Sequence, residues 1–173
     1  MTKSTKILVP SGVLGLGFSE DALIQGLKRQ PDIISIDGGS TDSGPFYLGM
    51  GVSKYSLEVC EAEWHLLMQA RHDNKIPLVI GSCGTCGVNA GVDMMFDMTV
   101  RIVKKLGHSV KIARIYCEQE RSEFQIALSE NRIKPLEPAP QITQDSLSKI
   151  THIVSSAGVE PIQKAIEAGA DVI

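Results

Sequence analysis

PLVIGSCGTCG (77–87) runs into a stretch that places Val92, Met95, Phe96, Ile102, Val103 and Leu106 on one helical face and Asp93, Asp97, Arg101 and Lys104 on the other. A short apolar run, a glycine-rich turn and an amphipathic helix make a βα unit. The run PLVI is apolar on both faces, as strands of a covered parallel sheet are. Working outward, KILV (6–9), DIISI (32–36), KIARIY (111–116), HIV (152–154) and DVI (171–173) repeat the strand signal. A second helical face gathers Leu57, Cys60, Trp64, Leu67 and Met68. This alternation predicts an α/β fold: a three-layer, Rossmann-like, mostly parallel sheet with helices on both faces and right-handed crossovers.

Boundary residues agree with that pattern. Ser19 before Glu20 and Asp21 reads as an N-cap with acids in the first turn. Pro161 suits the first position of a helix that Gly169 ends. KPLEPAP (134–140) has three prolines and reads as an exposed connector. With 173 residues, 43% of them apolar, the chain supports one α/β domain over 1–173. It stops two or three residues into a buried strand at Ala170-Asp171-Val172-Ile173, so the expectation is a sheet truncated at its C-terminal end.

A net charge of -3 and a pI near 5.8 supply no basic field for a nucleic acid or an anionic membrane. The opening MTKSTKILVP reaches a proline after three apolar residues, too few for a signal peptide, and no run suits a membrane helix. A cytoplasmic protein with reduced cysteines at 60, 83, 86 and 117 is therefore expected.

Ligands of open α/β sheets sit beyond the carboxyl ends of the strands, and four such loops are unusual here. PSGVLGLGF (10–18) carries Gly12, Gly15 and Gly17, whose amides can approach an anion, although a tight turn explains them equally. IDGGSTDSGP (36–45) sets Asp37 and Asp42 beside Gly38, Gly39, Ser40 and Thr41 directly after a strand. Those carboxylates can hold a divalent metal ion, bind a hydroxyl or move a proton; the alternative is an Asx turn that only bonds local backbone. Pro45, Phe46 and Tyr47 follow as an apolar wall or a packed aromatic pair.

The loop at Gly81, Ser82, Cys83 and Gly84 can cradle a phosphate or carboxylate at a helix start. Cys83 and Cys86 also form a CxxC, half of a zinc site with no second pair, or a thiol-exchange pair without the usual aromatic and lysine neighbours. SSAGVEP (155–161) places Glu160 at a helix start as a cap or a catalytic group. Cys117, Glu118 and Glu120 read first as a solvated strand end, and no histidine has the neighbours of a hydrolase triad.

ILVPSGVLGLGF, PDIISIDGGSTDSGPFYLGMG, IPLVIGSCGTCG and GVEPIQKAIEAGADVI together resemble the N-terminal part of the acyclic terpene utilisation (AtuA-like) family, over essentially the whole chain. The resemblance implies the N-terminal portion of a longer architecture that acts in breakdown of branched or terpenoid acids. In many relatives the third loop holds glycine and alanine, which implies that Cys83 and Cys86 are not general catalysts.

The leading functional expectation is a catabolic enzyme, or part of one, of lyase, hydratase or isomerase type. It would bind a small carboxylate or acyl-CoA ligand in these loops, with Asp37, Asp42 and Glu160 as catalytic candidates. A dinucleotide-binding domain is one alternative, since Asp37 stands 20 residues after Gly17, although GxxGxG is not the GxGxxG order. A regulatory or assembly subunit, working through a partner or a homo-oligomer, is the other.

Overall fold

The structure, a computed structural model, describes residues 4–39 and 45–173. Its sheet is built from β1 (Ile7–Leu8), β2 (Ile33–Asp37) and β3 (Leu78–Gly81), all parallel, in the order β1-β2-β3. Ile7 pairs with Ile33, Ser35 with Val79 and Asp37 with Gly81. The segment 171–173 continues the sheet beyond β3. Leu78 N donates to Asp171 O at 2.9 Å, Ile173 N to Leu78 O at 2.9 Å and Ile80 N to Ile173 O at 2.9 Å. On its far side Val172 bridges Ile112, with Ala113 N donating to Val172 O at 2.8 Å. The DVI run therefore lies inside the sheet, where Val172 and Ile173 are buried.

Among the described residues the helices are α1 (Glu20–Leu27), α2 (Pro45–Met50), α3 (Leu57–Asn74), α4 (Asn89–Leu106), α5 (Arg121–Ser129), α6 (Gln144–Lys149) and α7 (Glu160–Glu167). Alternation along the strands sorts the core into two faces. Ile34, Ile36, Leu78 and Val172 meet Leu23 of α1, Trp64, Leu67 and Met68 of α3, and Met95, Met98 and Ile102 of α4. Val79, Ala113, Ile115 and Ile173 meet Ala165 of α7. Trp64 is fully buried, and its Nε1 donates to Thr99 Oγ1 at 2.9 Å, so the largest ring joins α3 to α4 without an orphaned donor.

Helix ends follow their sequence signals. Ser19 Oγ accepts from Ala22 N at 3.3 Å at the head of α1, and left-handed Gly107 ends α4. Pro161 lies one residue inside α7, and Gly169 follows its cap with φ +75.

Three strand expectations need correction. KILV is an edge pair, with Ile7 and Val9 about 60% exposed, because among the described residues only β2 flanks it. KIARIY joins the ladder only at Ile112, and HIV makes one antiparallel bridge, Val154 to Glu118, instead of a buried parallel strand. Short helices α2, α5 and α6 carried too few periodic residues to be foreseen. The sequence KPLEPAP is a largely exposed connector. Among the described residues no helix is long and apolar enough to cross a membrane.

Candidate functional site

Three of the four glycine-bearing loops meet at the carboxyl end of the sheet, and backbone hydrogen bonds weld them together. Leu14 N donates to Asp37 O at 2.8 Å, Gly38 N to Gly81 O at 2.6 Å and Thr85 N to Gly38 O at 3.3 Å. Gly39 passes so near the third loop that a Cβ there would lie 2.0 Å from Thr85 Cα. Glycine is required at 39 by close approach.

The first loop already holds an anion, and that anion is the protein's own. Glu63 of α3, 7% exposed, accepts from Gly15 N through Oε2 and from Gly17 N through Oε1, each at 2.7 Å. The periodicity that marks α3 carries no signal for this pairing, which spans more than 40 positions. A pyrophosphate at Gly15 and Gly17 would have to displace Glu63. Gly12 is exposed, with open space around its Cα.

In the second loop Asp37 Oδ1 accepts from Gly39 N at 3.2 Å, the local Asx arrangement, and Gly38 and Gly39 are buried. Ser40, Thr41 and Asp42 lie outside the described residues. Phe46 and Tyr47 form an edge-to-face pair with centroids 5.2 Å apart.

The third loop stores backbone strain. Ser82 and Thr85 adopt left-handed φ of +46 and +73, beside Gly84 and Gly87 at +66 and +68. A β-branched residue in that region is costly and persists only where its surroundings enforce it. Thr85 is fully buried, and its hydroxyl accepts from Lys54 N at 3.0 Å. Burial pushes the Cys83 thiol up to about 12, so at neutral pH it is protonated and poorly nucleophilic. The described cysteines are free, and among the described residues no cluster of three His, Cys, Asp or Glu could hold a metal ion.

Beside this loop opens a cavity of about 550 Å3, between the end of β3 and the extended segment 112–117. Its walls are mainly apolar: Trp64, Met95 and Phe96 on the α4 side, Val79, Ile115 and Ile162 on the α7 side. Ser82, Cys83, Cys86 and Cys117 add small polar groups, as do Ser155 and Ser156. Of the sequence candidates, Gly81, Ser82 and Cys83 line it, whereas Asp37, Gly12, Gly15, Gly38, Gly39, Gly84 and Glu160 are outside the lining. Glu160 is exposed in the first turn of α7, and the cap position belongs to Val159.

Two polar groupings lie near the cavity: Glu118, expected as part of a solvated strand end, is paired with His152, and Arg114 is paired with Asp93. Glu118 Oε1 lies 2.6 Å from His152 Nδ1, while its Oε2 accepts from Asn89 N at 2.9 Å. The His152 hydrogen bond, then the amide, hold the Glu118 carboxyl below its ordinary range. This pair stands on the bridge between Glu118 and Val154, beside lining residue Cys117, with the His152 ring against Gly51. Arg114 is the second grouping and, among the described lining residues, carries the formal side-chain charge. Partners 34 and 21 positions away leave no local spacing to read.

Compared with protein-family models, with curated proteins and with solved structures, the chain finds no match in any of the three.

Proposed function

We propose that this chain binds a small acyl compound, a branched or straight carboxylic acid or its thioester, as a cytoplasmic catabolic enzyme or part of one. The observation that carries the reading is the roughly 550 Å3 apolar cavity at the carboxyl end of a parallel sheet, rimmed by the strained loop at Ser82 and Thr85. Apolar walls suit a hydrocarbon body, and free cysteines suit a reducing compartment. The AtuA-like resemblance points to the same ligand class. Helices α3 and α4 against one sheet face and α7 against the other support the three-layer, Rossmann-like arrangement in this reading. Lyase, hydratase or isomerase chemistry on that ligand would draw on Asp37 near the rim and on the Glu118–His152 pair.

Thermal unfolding with a panel of short and branched acids tests this. A ligand at a hundredfold excess over its Kd stabilises by about 2.7 kcal/mol, and Ala157→Trp, which puts an indole on the exposed lining, should abolish the shift. No stabilisation by any acid or thioester would reject the reading.

A second occupant is favoured by one specific observation. Consecutive residues 79–83 and 112–115 all line the cavity, although alternate side chains point to opposite sheet faces. The space therefore lies in the plane of the sheet, in line with segment 171–173. An extended polypeptide could pair there by strand addition, the route by which an assembly subunit would engage a partner. Slowed hydrogen exchange at 114–116 with short apolar peptides, but not with acids, would select this occupant.

A further inference from the structure

Arg114 is held more firmly than an ordinary surface arginine. Its guanidinium carbon lies 4.4 Å from the centroid of Phe96 and 5.6 Å from that of Tyr116. Nη1 donates to Asp93 Oδ1 at 3.0 Å, and Tyr116 Oη donates to the same oxygen at 2.5 Å. Two rings and one carboxylate thus fix a planar cation whose fork has five N–H donors, of which this ion pair uses one nitrogen. Arg114 and Phe96 both line the cavity, so the group that fixes the cation also forms the apolar wall. The Arg114 side chain as a whole is 42% exposed. Ser155 and Ser156 add hydroxyls to the same lining.

We propose that Arg114 receives the carboxylate of the cavity's ligand, with the acyl chain lying along Phe96 and the apolar walls, and with Asp93 and Tyr116 as positioning residues. This inference rests on the acyl-binding reading and adds to it the choice of ligand head group. A preorganised arginine forms two parallel charge-assisted bonds to a carboxylate, and an alcohol of equal chain length cannot replace them. Phe96, its ring centroid 4.4 Å from the guanidinium carbon, is the apolar surface beside the head group, and the head group is assigned as a carboxylate because the acyl-binding reading supplies one.

Titration calorimetry on the whole chain with octanoate, 1-octanol and octyl phosphate tests the assignment. The wild-type chain should bind octanoate about tenfold to a hundredfold more tightly than 1-octanol, with octyl phosphate between them. Arg114→Met keeps the apolar stem and should bring octanoate down to the level of 1-octanol while leaving 1-octanol unchanged. Arg114→Lys keeps a point charge without the fork and should lose several-fold in octanoate affinity; it is the decisive variant if Arg114→Met does not fold. Equal wild-type binding of octanoate and 1-octanol, or octanoate affinity unchanged in the folded variants, overturns the role of Arg114 and leaves the apolar site standing. Octyl phosphate binding more tightly than octanoate overturns the carboxylate assignment. If none of the three ligands binds, the acyl-binding reading fails and this inference fails with it.

Discussion

Glu63 shows how a glycine-rich loop can be a structural joint. Two amide donors exposed by the turn at Gly15 and Gly17 need acceptors, and a buried carboxylate supplies both oxygens. In Glu63→Gln the side-chain NH2 would face one of those N–H groups and leave it unsatisfied. The expected cost is about 1.5–3 kcal/mol, seen as a melting temperature lower by roughly 3–12 °C. A melting temperature unchanged in calorimetry would mean that the loop does not depend on this carboxylate. Position 39 is similarly legible only in three dimensions: the doublet Gly38-Gly39 signals a special backbone, while its reason, Thr85 pressed against Gly39, lies 46 residues away.

At the scale of elements, the C-terminal ends of α3 and α4 meet through two histidines. His72 and His108 stack with centroids 3.5 Å apart and planes 9° apart. Desolvation, then the neighbouring His72, lower the pKa of His108. The sign follows from linkage: above pH 6.5 the ring is neutral in both states and contributes no pH dependence. As pH falls through 6.5 the unfolded chain takes up the proton first, so stability declines until the folded group also titrates. His108→Gln should flatten the fall in melting temperature between neutral and mildly acidic pH relative to wild type. Parallel profiles for the two proteins would show that the stack has no such role. The faces of α3 and α4 were readable because a period of 3.6 repeats over five turns. Leu57, assigned to the buried face of α3, is 48% exposed, whereas Cys60 in the same turn is buried in the core.

The molecule as a whole is tied together by segment 171–173. Asp171 Oδ1 accepts from Arg71 Nη2 at 2.6 Å, and Oδ2 accepts from Lys111 N at 2.8 Å, so one carboxylate links α3, the segment at 111 and the strand beside β3. Arg71 is 6% exposed and also donates through Nε to Ile76 O at 3.1 Å. Asp171→Asn leaves that buried cation without its counter-charge. A loss of about 1–3 kcal/mol is expected, with faster hydrogen exchange at the amides of Ile80, Ala113 and Ile173, which this ladder protects. Exchange that stays slow at all three would show that backbone pairing alone holds the segment.

Local patterns in the sequence determined the α/β class, the long amphipathic helices, several helix ends and the convergence of unusual loops at one end of a parallel sheet. Those features depend on periodicities of 2 and 3.6 and on turn chemistry, which operate over a few residues. Tertiary structure alone decided that Glu63 fills the first loop, that Cys83 is a buried thiol and that Arg114, Phe96 and Asp93 share one side of a cavity. Each of those facts is a pairing across 18 or more positions or a consequence of burial. Such pairings are set by how sheet and helices pack, and no spacing within a single element records them.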